Sequence, residues 1–119
     1  MTYVQGFLAP VKSAKQQEYK EIAEKSWMLL KEYGAVGCCE AWGMDVPDGE
    51  VTSMPMAVKK EDDETVVFAW VTWPDKETAD TAMGKMEQDP RWGEFMPSAG
   101  EVFNLKRTIF GGFEPLLEV

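Results

Sequence analysis

The sequence predicts an α+β domain, on the order in which its apolar patterns change period. Strand, helix, strand, strand, helix, strand follow one another within 119 residues. That βαββαβ order builds an antiparallel sheet with both helices on one face, leaving the other face bare. A bare apolar sheet face needs cover, so the same order predicts a homodimer with a shared interior. Fold alone does not fix chemistry.

The first strand is expected over Tyr3 to Pro10, with Pro10 as its stop. Ser13 and Gln16 have capping-box spacing and open a helix whose apolar stripe runs Tyr19, Ile22, Ala23, Ser26, Trp27, Leu30, Tyr33. Gly34 supplies the left-handed stop. The second strand, Val36 to Met44, has one parity of large residues (Val36, Cys38, Glu40, Trp42, Met44) and one of small residues. The small parity suits a face beneath helices, which would turn Glu40 and Trp42 toward the open face. Asp45 to Ser53 is turn-rich around Pro47-Asp48-Gly49. Met56 to Lys60 is read as a short extra strand, hairpinned by an acidic turn onto a third main strand, Glu64 to Trp73. That third strand is apolar on both faces, as a central strand should be. Asp75 caps a second helix with stripe Ala79, Ala82, Met83, Met86, and Pro90 breaks it before a short helical turn from Arg91 to Met96. Arg107 to Phe113 completes the set, ended by Pro115. With no repeat, linker or low-complexity segment, residues 1–119 read as one domain of 13.4 kDa.

Composition narrows the function classes. Apolar residues make up 45% and aromatics 12% of the chain, enough for a packed core. Twelve basic against twenty-one acidic residues give a formal charge of −9, which repels phosphate backbones, so no nucleic-acid partner is expected. No run of residues has the length and apolarity of a membrane span, and the first residues do not resemble a secretory signal. The two cysteines, Cys38 and Cys39, are adjacent and read as reduced packing thiols, which places the chain in the cytoplasm.

Histidine is absent, and with it Ser-His-Asp catalysis, Cys-His catalysis and histidine-bound zinc or haem. Proton transfer is left to a carboxylate, a tyrosine, a lysine or the substrate itself. The acidic run from Glu61 to Glu64 and the stretch from Asp45 to Gly49 both lack calcium-loop spacing, so no metal and no cofactor is expected. Gly111-Gly112 has no following helix to hold a phosphate and reads as a close backbone approach. Glu40 is the sharpest catalytic candidate: a mid-strand carboxylate is costly to bury alone. Arg107 is the residue expected to neutralise it, and Gln5 to hydrogen-bond it. The competing reading of Glu40 and Arg107 is a structural ion pair at a dimer seam or a solvated rim. Trp42 and Trp70, with Trp73, are candidates to line a pocket for a flat organic ligand, or else to fill a core.

Five stretches resemble one group of proteins: Tyr3 to Phe7; Asp45 to Gly49 continuing through Thr52-Ser53; Glu64 to Phe68 with Trp70; Asp89-Pro90-Arg91; and Ile109 to Pro115. In this order, across nearly the whole chain, they are similar to the YbaA-like family of small bacterial proteins of unassigned function. The resemblance implies a ferredoxin-like subunit of the dimeric α+β barrel superfamily. That superfamily includes cofactor-free monooxygenases of polycyclic aromatic substrates, haem-degrading enzymes that use a histidine ligand, and small isomerases. No catalytic motif is established for the family, so it transfers no active residues.

Two functions follow as expectations. One is a homodimer that binds a small apolar or aromatic molecule in a pocket on the open sheet face, lined by Gln5, Trp42 and Trp70. The other is a cofactor-independent monooxygenase or isomerase acting on an aromatic or enolisable substrate. There Glu40 would be the base or orienting acceptor and Arg107 would stabilise negative charge, while Trp42 and Trp70 sandwich the substrate.

Overall fold

A computed structural model describes residues 2–119. Strands β1 (Tyr3–Lys12), β2 (Gly37–Trp42), β3 (Glu64–Trp73) and β4 (Ile109–Phe113) form one sheet in the order β2-β3-β1-β4. Every neighbouring pair is antiparallel. Helices α1 (Gln16–Glu32) and α3 (Lys76–Gln88) supply the long crossovers, and a short helix α2 (Met54–Ala57) lies in the excursion between β2 and β3. This is the α+β arrangement the sequence predicts.

Register fixes the faces, because residues directly opposite in an antiparallel pair share a side. Leu29 and Tyr33 of α1 and Ala79 and Ala82 of α3 pack in one cluster with Val71 and Trp73 of β3. Both long helices therefore cover the face that bears Val71 and Trp73. Along β3 that face continues through Ala69 and Val67, which stand opposite Phe7 and Ala9 of β1. Trp73, Val11 and Val67 are shut off from solvent, each worth about 1.5–3 kcal/mol of apolar burial. The buried Trp73 indole donates to Gln5 Oε1 at 2.9 Å, so its polar edge is satisfied. The opposite face presents Leu8, Phe68, Trp70, Ile109 and Phe113. Of these, Phe68, Ile109 and Phe113 are 45%, 42% and 61% exposed, an apolar surface that no helix among the described residues covers.

Local chemistry explains most element ends. Gly34 has φ of 113°, and Ala35 N donates to Leu30 O at 3.0 Å, a left-handed closure of α1. Asp75 caps α3 by accepting from Thr78 N at 2.7 Å. Beyond α3, Pro90–Glu94 is a 3-10 turn. There Trp92 Nε1 donates to the Tyr33 hydroxyl, which in turn donates to Asp89, tying this turn to the end of α1.

Four details depart from the sequence reading. β1 runs on past Pro10 to Lys12. Lys12 N donates away from β3, to Val102 O, so the Pro10 nitrogen two residues earlier faces that same side. β4 has already ended there, its last partner being Leu8, and no ladder hydrogen bond is lost. Ser13 does not cap α1; it sits in a 3-10 turn, its hydroxyl 2.6 Å from Thr65 Oγ1. The expected extra strand at Met56 to Lys60 is replaced by α2, where Ser53 accepts from Met56 N at 3.1 Å and Pro55 occupies the first turn. Finally, β4 starts at Ile109, because the Asn104 side chain accepts from Arg107 N and winds Leu105–Arg107 into a 3-10 turn.

Candidate functional site

A groove of about 600 Å³ separates α1 from edge strand β2. Its helical wall carries Tyr19, Ala23 and Trp27, four residues apart and so on one face of α1. The small Ala23 between two aromatics leaves the hollow. The strand wall carries Cys38, Glu40 and Trp42, with Val67 of β3 behind them. Gln16, Lys20 and Glu24 add polar groups from α1.

The large-residue parity of β2 therefore faces the helices, the reverse of the sequence expectation. Cys38, Glu40 and Trp42 stand opposite Val71, Ala69 and Val67, all on the helix-covered face. The small residues Cys39 and Ala41 point to the bare face instead, beside Trp70 and Phe68.

At the centre of the groove Tyr19 donates its hydroxyl proton to Glu40 Oε1 at 2.6 Å. The Tyr19 ring is held edge-on against Phe103, centroids 5.4 Å apart. Glu40 is open to solvent through the groove mouth, yet protein crowds it enough that desolvation raises its carboxyl above the ordinary range, with the Tyr19 hydrogen bond opposing. Burial and the neighbouring Glu40 also raise the Tyr19 hydroxyl, and the same two causes, with Cys39, push the Cys38 thiol up to about 11. A hydroxyl that keeps its proton beside a carboxyl that accepts from it makes a polar reading head within apolar walls.

The residues singled out from the sequence divide between places. Glu40 and Trp42 share the groove. Arg107 does not meet Glu40: it binds Glu64, with Nη1–Oε1 at 2.8 Å and Nη2–Oε2 at 2.6 Å, and also donates to the backbone carbonyl of Lys59. Gln5 is occupied by Trp73. Trp70 lies on the bare face against Phe68, so Trp42 and Trp70 cannot sandwich one ligand across a strand that separates them. Sequence reasoning missed Tyr19 and Trp27, counted only as parts of a core stripe. The signal was the Tyr-Ala-Trp spacing itself.

Among the described residues, Glu61, Asp63 and Glu64 bring carboxylate oxygens close together. Lys12, 2.9 Å from Asp63, and Arg107, 2.6 Å from Glu64, already pair with that cluster, which makes it an ion-pair network. No helix among the described residues is long and apolar enough to cross a membrane.

The arrangement is that of a ferredoxin-like α+β domain, a class shared with several solved structures. A variant of SnoaB, a cofactor-independent oxygenase from Streptomyces nogalater, matches with a TM-score of 0.60, 13% identity, and coverage of 99% of this chain and 96% of that one. A putative antibiotic biosynthesis monooxygenase from Nitrosomonas europaea matches with a TM-score of 0.60 at 13% identity, covering 97% and 90%. A NIPSNAP family protein from Agrobacterium tumefaciens gives 0.57 at 17% identity, covering 97% and 93%. At these identities the likeness is one of fold. The chain belongs to the family described as "Protein of unknown function (DUF1428)", whose model matches residues 2–103. It is 48% identical over 118 residues to the uncharacterized protein YbaA of Escherichia coli K12, covering 99% of both chains. The Shigella flexneri protein of the same name matches to the same extent.

Proposed function

We propose that this chain is a cytoplasmic homodimer that binds a small apolar or aromatic molecule. The α1–β2 groove on the helix-covered face is the binding site, in place of the open sheet face expected from the sequence. The Tyr19–Glu40 hydrogen bond inside an aromatic-walled groove of about 600 Å³ carries this reading. That volume is in the range of small-molecule sites, and a few convergent polar groups among apolar walls are their usual chemistry. Dimerisation through the bare sheet face is supported by its exposed Phe68, Ile109 and Phe113. The cytoplasmic setting is supported by two free thiols. The test is tryptophan fluorescence titration with a panel of flat aromatic alcohols and ketones. Saturable quenching that is lost in Trp42→Leu and in Trp27→Leu supports the groove. Quenching that survives both variants rejects it.

A second reading, cofactor-independent oxygenation or isomerisation, is favoured by one observation: a carboxyl raised by desolvation beside a ligand-sized space. Glu40 would take a proton from an enolisable substrate, with Tyr19 donating to the developing charge. Arg107 has no part in it, being committed to Glu64. Solvent exchange of the acidic protons of bound ligands, monitored by NMR and abolished in Glu40→Gln, is the result this reading requires.

A further inference from the structure

Resting on the groove reading above, we propose that the ligand is an organic cation. A protonated amine would sit against the free oxygen of Glu40, with its apolar body along Trp27 and Trp42.

The charge inventory of the fold points this way. Two carboxylates, Glu64 and Asp89, are buried or half-buried, and a third, Glu40, stands exposed in the groove wall. Glu64 is met by Arg107 at 2.6 Å, and Asp89 by Arg91 at 2.7 Å. Glu40 has only the Tyr19 hydroxyl, on Oε1. Its Oε2 accepts nothing from the described residues, and none of their cations forms an ion pair with it. Glu40 is thus the one of the three left without a cation, and it opens into the groove.

The walls fit the same occupant. Trp27, Trp42 and Tyr19 line the same groove as the carboxylate. Aromatic faces next to a carboxylate attract an ammonium group by ring quadrupole and by charge together. Glu24 adds a second acid to the lining, set against the single base Lys20. An anionic ligand would meet Glu40 across a short gap without an arginine or histidine to hold it. A neutral alcohol or phenol can donate to the carboxylate but lacks the attraction between two full charges.

Calorimetric titration of the full-length protein with three ligands of one body separates these cases: naphthylmethylammonium, naphthylmethanol and naphthoate. The ammonium should bind about tenfold tighter than the alcohol, the size of one charge-assisted contact at a partly wet site, and naphthoate weakest. Glu40→Gln should weaken the ammonium far more than the alcohol, so that the ammonium loses its preference. Tyr19→Phe, which keeps the carboxylate, should retain the ammonium preference. Equal binding of ammonium and alcohol, an ammonium preference that survives Glu40→Gln, or its loss in Tyr19→Phe would each overturn the cation proposal. The groove itself would still stand wherever the alcohol binds. If none of the three binds the folded wild-type protein, both the cation proposal and the groove reading fall.

Discussion

Arg107 grips Glu64 with both arms of its guanidinium, joining the turn before β4 to the first residue of β3. The Glu64 side chain is 1% exposed, so the pair replaces hydration that the carboxylate cannot get from water. Arg107→Ala strands a buried charge and should cost about 3–5 kcal/mol in urea unfolding at neutral pH. Adding Glu64→Gln should recover part of that loss. Full stability in the single variant would contradict a structural role for the pair.

The pH dependence of that contribution has a definite sign. Arg107, helped by the backbone at Glu61 and by Lys12, holds Glu64 below its ordinary value of 4.5. The contribution is therefore complete above that ordinary value and drains away as pH falls through the depressed folded one. Acid unfolding of the wild type should be steeper than that of Glu64→Gln. Parallel curves would show that other carboxylates govern it.

Glu40 has the opposite sign. Its folded carboxyl is raised, so ionisation at neutral pH works against folding, and stability is gained as pH falls through the raised folded value toward the ordinary 4.5. Glu40→Gln keeps an acceptor for Tyr19 and removes the charge, so it should raise the midpoint of thermal unfolding at neutral pH. Lys20 and Glu24 of α1 and Cys38 of β2 line the same groove, and the measurement should be repeated at high salt to set aside their long-range effects. A lower midpoint in Glu40→Gln would mean that the carboxylate serves the fold rather than a ligand.

Gly112 lies beneath the Tyr3 ring, and a side chain built there would occupy the place of the Tyr3 hydroxyl. Gly112→Ala should destabilise by about 1–3 kcal/mol, the usual range for overpacking. Combined with Tyr3→Leu, the penalty at residue 112 should shrink. Additive losses in the double variant would place the cause in the strand backbone instead.

The bare sheet face yields a test that leaves the groove untouched. Phe68→Glu puts a charge at the middle of the exposed apolar surface and should turn the proposed dimer into a monomer in sedimentation velocity, with secondary structure retained. A wild type that is monomeric at high concentration would remove the shared-interior assembly.

How much could be read from the chain depends on how many forces agreed at each place. β3 was legible to the residue because Glu64 to Trp73 is flanked by acidic turn and cap residues and is buried between two strands. α3 and the end of α1 were legible because Asp75 and Gly34 act locally. The orientation of β2 was not, since alternation reveals two parities but not which one faces the helices. The choice was made by α1, whose Ala23 leaves room for Glu40 and Trp42. Pairing Glu40 with Arg107 failed for a related reason. Asn104 winds Arg107 out of the strand, and the rival carboxylate Glu64 is close enough to claim it. α2 carried its own marker in Ser53 and Pro55, overlooked because four residues are too few to show a helical period.

Consecutive residues of β2 look out in opposite directions, and two of them are sulfur-bearing. A reporter attached at Cys39 in a Cys38→Ser background would watch the exposed sheet, and one at Cys38 in a Cys39→Ser background would watch the cleft beside α1. With Cys38 pushed up to about 11, its alkylation at neutral pH should be slow and should quicken as the medium is made more alkaline. Assembly and occupancy could then be followed separately, by labels one residue apart.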